Sequence, residues 1–147
     1  MIDYEEMKLE HIPAVACLER ENFSLPWSEN ALCSELSNPL SLWLVALNAG
    51  QVMGYVGAQI VPDEADMMNL AVDEKYRRTG IGKALVDLLV EKLQSRGVRS
   101  LTLEVRVSNL PAITLYEGMG FSVVGKRPGY YQKPKEDALI LRKEWQL

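Results

Sequence analysis

The chain has 147 residues, 48% apolar and 24% charged, ordinary globular usage that excludes a disordered or fibrous protein and predicts one domain over residues 1–147. Its 16 basic and 20 acidic residues leave a net charge of −4, without the basic balance of a dedicated nucleic-acid binder. A single histidine and two cysteines outside any CxxC exclude a His-rich metal site and predict buried free thiols at Cys17 and Cys33, as in a cytoplasmic protein.

The chain opens without a basic segment leading into an apolar run, and no apolar stretch approaches the ~18 residues of a membrane span, so neither a signal peptide nor a membrane segment is expected. Residues 2–7 read as a short strand. From Leu9 the apolar positions Ile12, Val15, Ala16 and Leu18 recur at helical spacing. Pro13 fits only a first turn, which sets a helix start near Glu10 and leaves His11 at the surface or at the helix start. Residues 23–27 break the helix at Pro26. Ser28 then suits an N-cap for a second helix through Leu36, with Trp27 and Leu32 at the spacing of a hydrophobic staple. Asn38-Pro39 ends it.

Residues 42–47 and 51–60 read as strands joined by Asn48-Ala49-Gly50, a hairpin signal. Residues 62–65 turn the chain into a third strand at 66–72, completing an antiparallel meander. A basic, glycine-bearing loop follows, then a helical face of Leu85, Leu88, Leu89 and Leu93 that Gly97 stops. Residues 101–105 form a strand, so strand, helix and strand make a right-handed parallel crossover. Residues 109–118 read as a short helix with Ala112, Leu115 and Met119 on one face. Strands at 121–126 and 138–142 close the chain, with a surface loop between Pro128 and Pro134. The fold class is α/β, a mixed, mostly antiparallel seven-stranded sheet with one central parallel pair and about four helices.

The loop Arg77-Arg78-Thr79-Gly80-Ile81-Gly82 lies between a strand and a helix start. Its glycines permit a tight turn and close approach of a ligand, and the free N–H groups of the first helical turn make an anion site. Arg77, Arg78 and Lys83 concentrate positive charge in an acidic chain, so a phosphate-bearing ligand suits the loop. It lacks the GK[ST] ending of a Walker A loop and the third glycine of a dinucleotide fingerprint, which argues against ATP, GTP and NAD.

This loop resembles the Q/R-x-x-G-x-G/A pyrophosphate loop of the GCN5-related N-acetyltransferases. Asn69-Leu70-Ala71-Val72 is similar to the family strand before the loop, and Asn109, Ala112, Leu115-Tyr116 and Gly120-Phe121 to its N-x-x-A-x-x-L-Y-x-x-x-G-F segment. Further stretches, Phe23-Ser24-Leu25-Pro26-Trp27-Ser28, Leu103-Glu104-Val105-Arg106, and Tyr130-Tyr131 with Glu136-Asp137-Ala138, resemble the bacterial members that acetylate the N-terminal alanine of a small-subunit ribosomal protein. The resemblance implies the acyl-CoA N-acyltransferase fold, with the parallel strands splayed apart and a β-bulge before the loop. It implies acetyl-CoA as cosubstrate, its pantetheine arm against Leu70, Ala71 and Val72 and its pyrophosphate on the amides of Arg78, Thr79, Gly80, Ile81, Gly82 and Lys83. Arg77 stands where Gln is commoner.

Acetyl transfer to an amine needs a neutral nucleophile, a donor for the developing oxyanion and a proton for the leaving thiolate. At pH 7 about a tenth of an α-amine is neutral, against about one part in two thousand for lysine. An N-terminal substrate therefore asks little of its base, and no histidine is required. Alternation puts Glu104 on the strand face opposite Leu101, Leu103 and Val105, and the resemblance makes it the general base. Tyr116, protonated at neutral pH, is the general acid, and a backbone N–H near Val72 the oxyanion donor. Asn109 suits a helix cap and also an orienting contact to pantetheine. Cys17 and Cys33 have no base partner in sequence, so direct attack in a ternary complex is expected.

Phe23, Pro26 and Trp27 from one break, with Tyr130 and Tyr131 from the other, make an aromatic clamp for a peptide N-terminus near Glu104. Glu21, Asp63 and Glu64 could draw in a basic peptide. The ribosomal protein N-terminus is the expected partner, with no nucleic acid, membrane or metal, and the chain is expected to act as a monomer or weak dimer. A small-molecule amine acetyltransferase for a polyamine or antibiotic, and a non-catalytic acyl-CoA-binding module, remain alternatives at this point.

Overall fold

The computed structural model describes all 147 residues. In chain order the elements are β1 (Ile2–Glu6), α1 (Ile12–Asn22), α2 (Glu29–Leu36), β2 (Ser41–Asn48), β3 (Gln51–Ile60), β4 (Glu64–Val72), α3 (Ile81–Ser95), β5 (Ser100–Arg106), α4 (Leu110–Gly118), β6 (Ser122–Tyr131) and β7 (Glu136–Glu144). One seven-stranded sheet carries them in the order β1-β2-β3-β4-β5-β7-β6. Every neighbouring pair is antiparallel except β4 and β5.

Strand alternation divides the core in two. In β2, Leu42, Leu44 and Ala46 face α3 and α4, while Trp43, Val45 and Leu47 face α1 and α2. All six are buried, as expected of a strand covered on both faces. Local chemistry sets the connections. Ala49 and Gly50 both take positive φ, the primed geometry of a two-residue hairpin. The Ser28 hydroxyl accepts the Ala31 N–H at 3.1 Å and caps α2. Gly97, at φ 80°, stops α3.

Several expectations need correction. The turn before β4 is shorter than residues 62–65, because Glu64 and Ala65 already pair with β5 and β3. Tyr130 and Tyr131 close strand β6, not a surface loop. Pro128 is tolerated there because β6 is an edge strand and its register shifts between Arg127 and Tyr131. The inner face of α4 is Ile113 and Tyr116 with Met119; Leu115 is exposed. Cys17 is exposed and Cys33 half-buried, both free. Of the two places expected for His11 the helix start holds and the surface does not: it is buried there, its Nδ1 accepting the Lys8 N–H at 2.9 Å. No helix is long and apolar enough to cross a membrane.

Trp43 is the packing centre on the α1–α2 side. Its ring meets Trp27 edge-on with centroids 5.4 Å apart and stacks near Tyr55 at 6.3 Å. Its Nε1 donates to the buried Glu35 at 3.1 Å. Gly57 lies directly opposite in register, and a Cβ there would stand 2.4 Å from the indole. Glycine is required at this position for close approach, whatever its φ. Gly57→Ala should therefore destabilise the protein by about 1–3 kcal/mol, the usual cost of overpacking. Differential scanning calorimetry should show a lower Tm; an unchanged Tm would mean that the Trp43 ring moves aside freely.

Candidate active site

The parallel pair sets the geometry of the site. β4 and β5 are in register only at Glu64–Ser100, Ala65–Leu101 and Asp66–Thr102. Beyond these positions the strands part, and residues 67–72 present a backbone edge with no strand partner on that side. The bulge falls where the strands part: Met67 pairs with Ala58 and Asn69 with Gly57, which leaves Met68 as the extra residue. Leu70 and Val72 lean toward the α3 side of the gap and Ala71 toward α1.

The glycine loop closes the far end of the gap. Arg78 and Gly80 take φ of 65° and 86°, and α3 starts at once behind Gly80. The backbone N–H groups of residues 78–83 meet no acceptor within the chain, so a fan of donors faces outward at a helix N-terminus. A Cβ on Gly82 would touch only Val72 Cγ2, at 3.7 Å, and one on Gly80 nothing within 4 Å. Thr79 folds its hydroxyl back to the Tyr76 carbonyl, and Ile81 points into the core. Lys83 pairs with Asp87 at 2.8 Å.

Arg77 departs from expectation. Its Nη2 donates to Asn22 Oδ1 at 2.7 Å and its Nε to the Val72 carbonyl at 3.2 Å. The side chain braces the loop against α1 and does not stand among the outward-facing amides.

Glu104 points from β5 to the face opposite Leu101, Leu103 and Val105, and its side chain is 22% exposed. Arg127 Nη2 stands 3.6 Å from its carboxylate. Burial pushes the Glu104 pKa above the ordinary carboxylate range; Arg127 opposes that shift, and Asp66, on the same face of β4, adds to it. Tyr116 is buried on α4, edge-on to Phe121 at 5.5 Å, and burial with the neighbouring Tyr131 pushes its pKa up to about 12. Tyr131 is also pushed up to about 12, by burial first, then by Tyr130 and Glu104. Arg127 stands against both Glu104 and the Tyr130 ring, and Tyr130 meets Tyr131, so these residues form one group.

Two arginines hold the tyrosine arch. Arg106 lies over the Tyr131 ring at 4.5 Å and Arg127 over Tyr130 at 5.2 Å, and the two rings meet edge-on at 5.0 Å. Arg106 also ties the turn after β6, donating to Pro134 O at 2.9 Å and to Glu136 at 3.2 Å. The Ser108 side chain first, then Arg106 and the Ser108 N–H at 2.9 Å, hold Glu136 below the usual carboxylate range. Phe23 and Trp27 pack onto the α1–α2 core, while Pro26 and Leu25 are exposed. Asn109 caps α4 through its side-chain oxygen, which accepts the Ala112 N–H at 3.3 Å.

The structure thus gathers Glu104, Tyr130 and Tyr131 around Arg127, and it buries Tyr116 in the core cluster against which Leu70 and Val72 pack, with residues 70–72 along the gap and residues 78–83 at its end. Asp63 and Glu64 are not part of this group: they pair with Arg99 and Arg142 at the amino ends of the parallel strands. Sequence reasoning missed Asp66, Arg106 and Arg127. Asp66 and Arg106 could have been found by extending the alternation that oriented Glu104. Arg127 needed the pairing of β6 with β7.

A sheet that parts at a parallel pair, with an amide-lined loop at the end of the gap, leaves room for an extended ligand that carries amides and phosphates. The model of the acetyltransferase (GNAT) family matches residues 7–121, and the chain belongs to that family. It is 39% identical over 132 residues to the [ribosomal protein bS18]-alanine N-acetyltransferase of Escherichia coli K12, covering 88% of each chain. The crystal structure of the ribosomal-protein-S18-alanine N-acetyltransferase from Escherichia coli superposes with a TM-score of 0.90 at 35% identity, over 100% of this chain and 96% of that one. The NatC complex bound to Gag peptide and CoA contains a chain similar at TM-score 0.87 and 25% identity, over 99% of both.

Arg127 lowers the Glu104 pKa and so opposes its raised basicity. Arg127→Gln should move the Glu104 titration midpoint further up, read by carbon-detected NMR of the side-chain carboxyl. A midpoint that stays put or falls would show that the 3.6 Å contact does not persist in solution.

Proposed function

We propose that this chain transfers the acetyl group of acetyl-CoA to the α-amine of a protein N-terminus, the N-terminal alanine of the small-subunit ribosomal protein bS18. The observation that carries the reading is Glu104, half-buried with a raised pKa on the strand that parts from β4, and joined through Arg127 to the Tyr130–Tyr131 arch. The likeness to an alanine N-acetyltransferase over 88% of the chain supports the choice of substrate.

The residues present suit acetyl-CoA. The unpartnered edge of residues 67–72 offers strand-like pairing to the amides of pantetheine, and the N–H groups of residues 78–83 suit its pyrophosphate. Asn109 has its oxygen engaged in the cap, which leaves its NH2 group for a pantetheine carbonyl.

Glu104 takes a proton from the α-ammonium, directly or through water. The neutral nitrogen forms a bond to the thioester carbon as the carbon–sulfur bond breaks, and the second proton that the nitrogen sheds in becoming an amide passes to solvent water. A backbone N–H of β4 near Val72 faces the developing oxyanion, and the Tyr116 hydroxyl gives its proton to the departing sulfur. With a pKa of about 12, Tyr116 keeps that proton throughout the neutral range. Glu104 works as base only when ionised. Activity therefore falls as pH drops through its pKa, and the upward shift moves that fall to a higher pH than an ordinary carboxylate would give. Phe23, Pro26, Trp27, Tyr130 and Tyr131 line the approach of the peptide.

Mass spectrometry of paired peptides tests the reading. One begins with alanine and carries the bS18 N-terminal sequence; the other has a blocked α-amine and a free internal lysine. Acetylation confined to the free N-terminus is expected, and product on neither, with CoA binding intact in calorimetry, refutes the proposal. Glu104→Gln should cut kcat by about 10²–10⁴-fold, the usual share of general-base catalysis, and remove the part of the acid limb that belongs to Glu104, leaving the limb set by the α-amine itself. CoA affinity should stay near that of the wild type. Tyr116→Phe should slow turnover without unfolding the protein; wild-type turnover would reject Tyr116 as the acid.

A further inference from the structure

The last turn of α1 carries a carboxylate that the acetyl-transfer chemistry does not use. Glu19 is fully buried, at 0% exposure, on a helix face of apolar neighbours. Its Oε1 accepts the Trp27 backbone N–H at 2.8 Å. The Asn69 side-chain amide donates to both oxygens, at 2.9 and 3.0 Å. The Tyr55 hydroxyl donates to Oε2. All three donors are neutral, and burial among them, with Glu19 as neighbour, raises the Tyr55 pKa. Burying a carboxylate with no cation against it is expensive, and an apolar residue would complete this helix face.

The partners explain its place. Trp27 ends the break at residues 23–27, the wall offered to the peptide. Asn69 follows the bulged Met68 and begins the stretch that runs along the gap to Val72. Tyr55 is the register partner of Ala71. One carboxylate thus joins the peptide wall to the strand segment that would carry the thioester. Three residues on, Asn22 reaches Arg77, which holds the Val72 carbonyl, so α1 grips this segment at both ends.

We propose that Glu19 is a positioning residue for acetyl transfer: it locks residues 23–27 to residues 69–72 and so fixes where the amine meets the thioester. The inference rests on the proposed function above. It acts through its partners and touches neither substrate. Displacement of reacting groups by about 1 Å can cost about a hundredfold in rate, so the lock matters even where the fold survives its loss.

The test is kinetics of Glu19→Gln on the alanine peptide, with calorimetry of CoA binding and hydrogen exchange of the Trp27 amide. The near-isosteric amide turns one acceptor into a donor facing Asn69 and Tyr55. Expected are a fall of about tenfold or more in peptide kcat/KM, a CoA Kd changed by less than about twofold, and faster exchange at Trp27. Unchanged kcat/KM with faster exchange overturns the inference, as does a loss shared equally by kcat/KM, CoA affinity and Tm. Should Glu19→Gln fail to fold, Asn69→Ala removes one donor only, and the same split is required of it; its absence overturns the proposal. Wild-type protein that acetylates no N-terminal peptide refutes the proposed function itself, a result separate from active wild type with unaffected variants.

Discussion

The parting of β4 and β5 is the constraint on which the rest of the molecule depends. Backbone N–H and C=O groups away from water need partners, and after three paired positions the inner edge of β4 has none from the sheet. A free strand edge between two layers of helices is a template for something that carries amides in extended order. The bulge at Met68 turns the strand where the edge becomes free. β5 shares the problem: β7 pairs with its outer edge along its whole length, but its inner edge beyond Thr102 has no partner from β4. Both walls of the gap therefore carry backbone groups without a sheet partner; the bulge and the following loop distinguish the β4 wall, and Glu104 stands on the β5 wall.

The other end of the gap relies on the main chain more than on charge. Arg77, Arg78 and Lys83 look like a basic cluster in an acidic chain, yet Arg77 is spent on Asn22 and Val72 and Lys83 on Asp87. What faces outward is a run of N–H groups, set by the left-handed conformations of Arg78 and Gly80. Exposed ion pairs are weakened by salt and rarely hold fixed geometry. Amides at a helix start keep their direction because the backbone of α3 fixes it, and α3 is anchored by Ile81, Leu85, Leu89 and Leu93 in the core.

Much of this was legible in the sequence. β3 spans the residues expected of it, because the turn at Ala49 and Gly50 and its two buried faces leave no alternative register. The glycine loop, the crossover and the orientation of Glu104 follow from period and turn chemistry. The failures have physical causes. Proline normally ends a strand, so β6 was expected to stop short, but an edge strand with a register shift accommodates Pro128. The α4 face was assigned to Leu115 by apolarity, while Tyr116 is the residue that turns inward. Glu19 and Glu35 were invisible because a single sequence cannot show that donors from distant strands converge on a carboxylate. Arg77 was read as a phosphate ligand because a charge in sequence does not say which way it points.

The nature of the proposed nucleophile accounts for how lightly the site is armed. The only histidine is committed to closing the turn before α1, with its Nδ1 accepting the Lys8 amide. Glu104 is shifted upward by burial, but Arg127 restrains the shift. Such a base suits an α-amine, of which about a tenth is already neutral at pH 7, and suits lysine about two hundredfold less. Discrimination between the two amines is then partly a property of the amines. What the protein must add is placement: a rigid relation between the proposed peptide wall at residues 23–27 and β4. This explains why its buried carboxylates are spent on holding loops and strands in register while the one with a raised pKa stands at the gap.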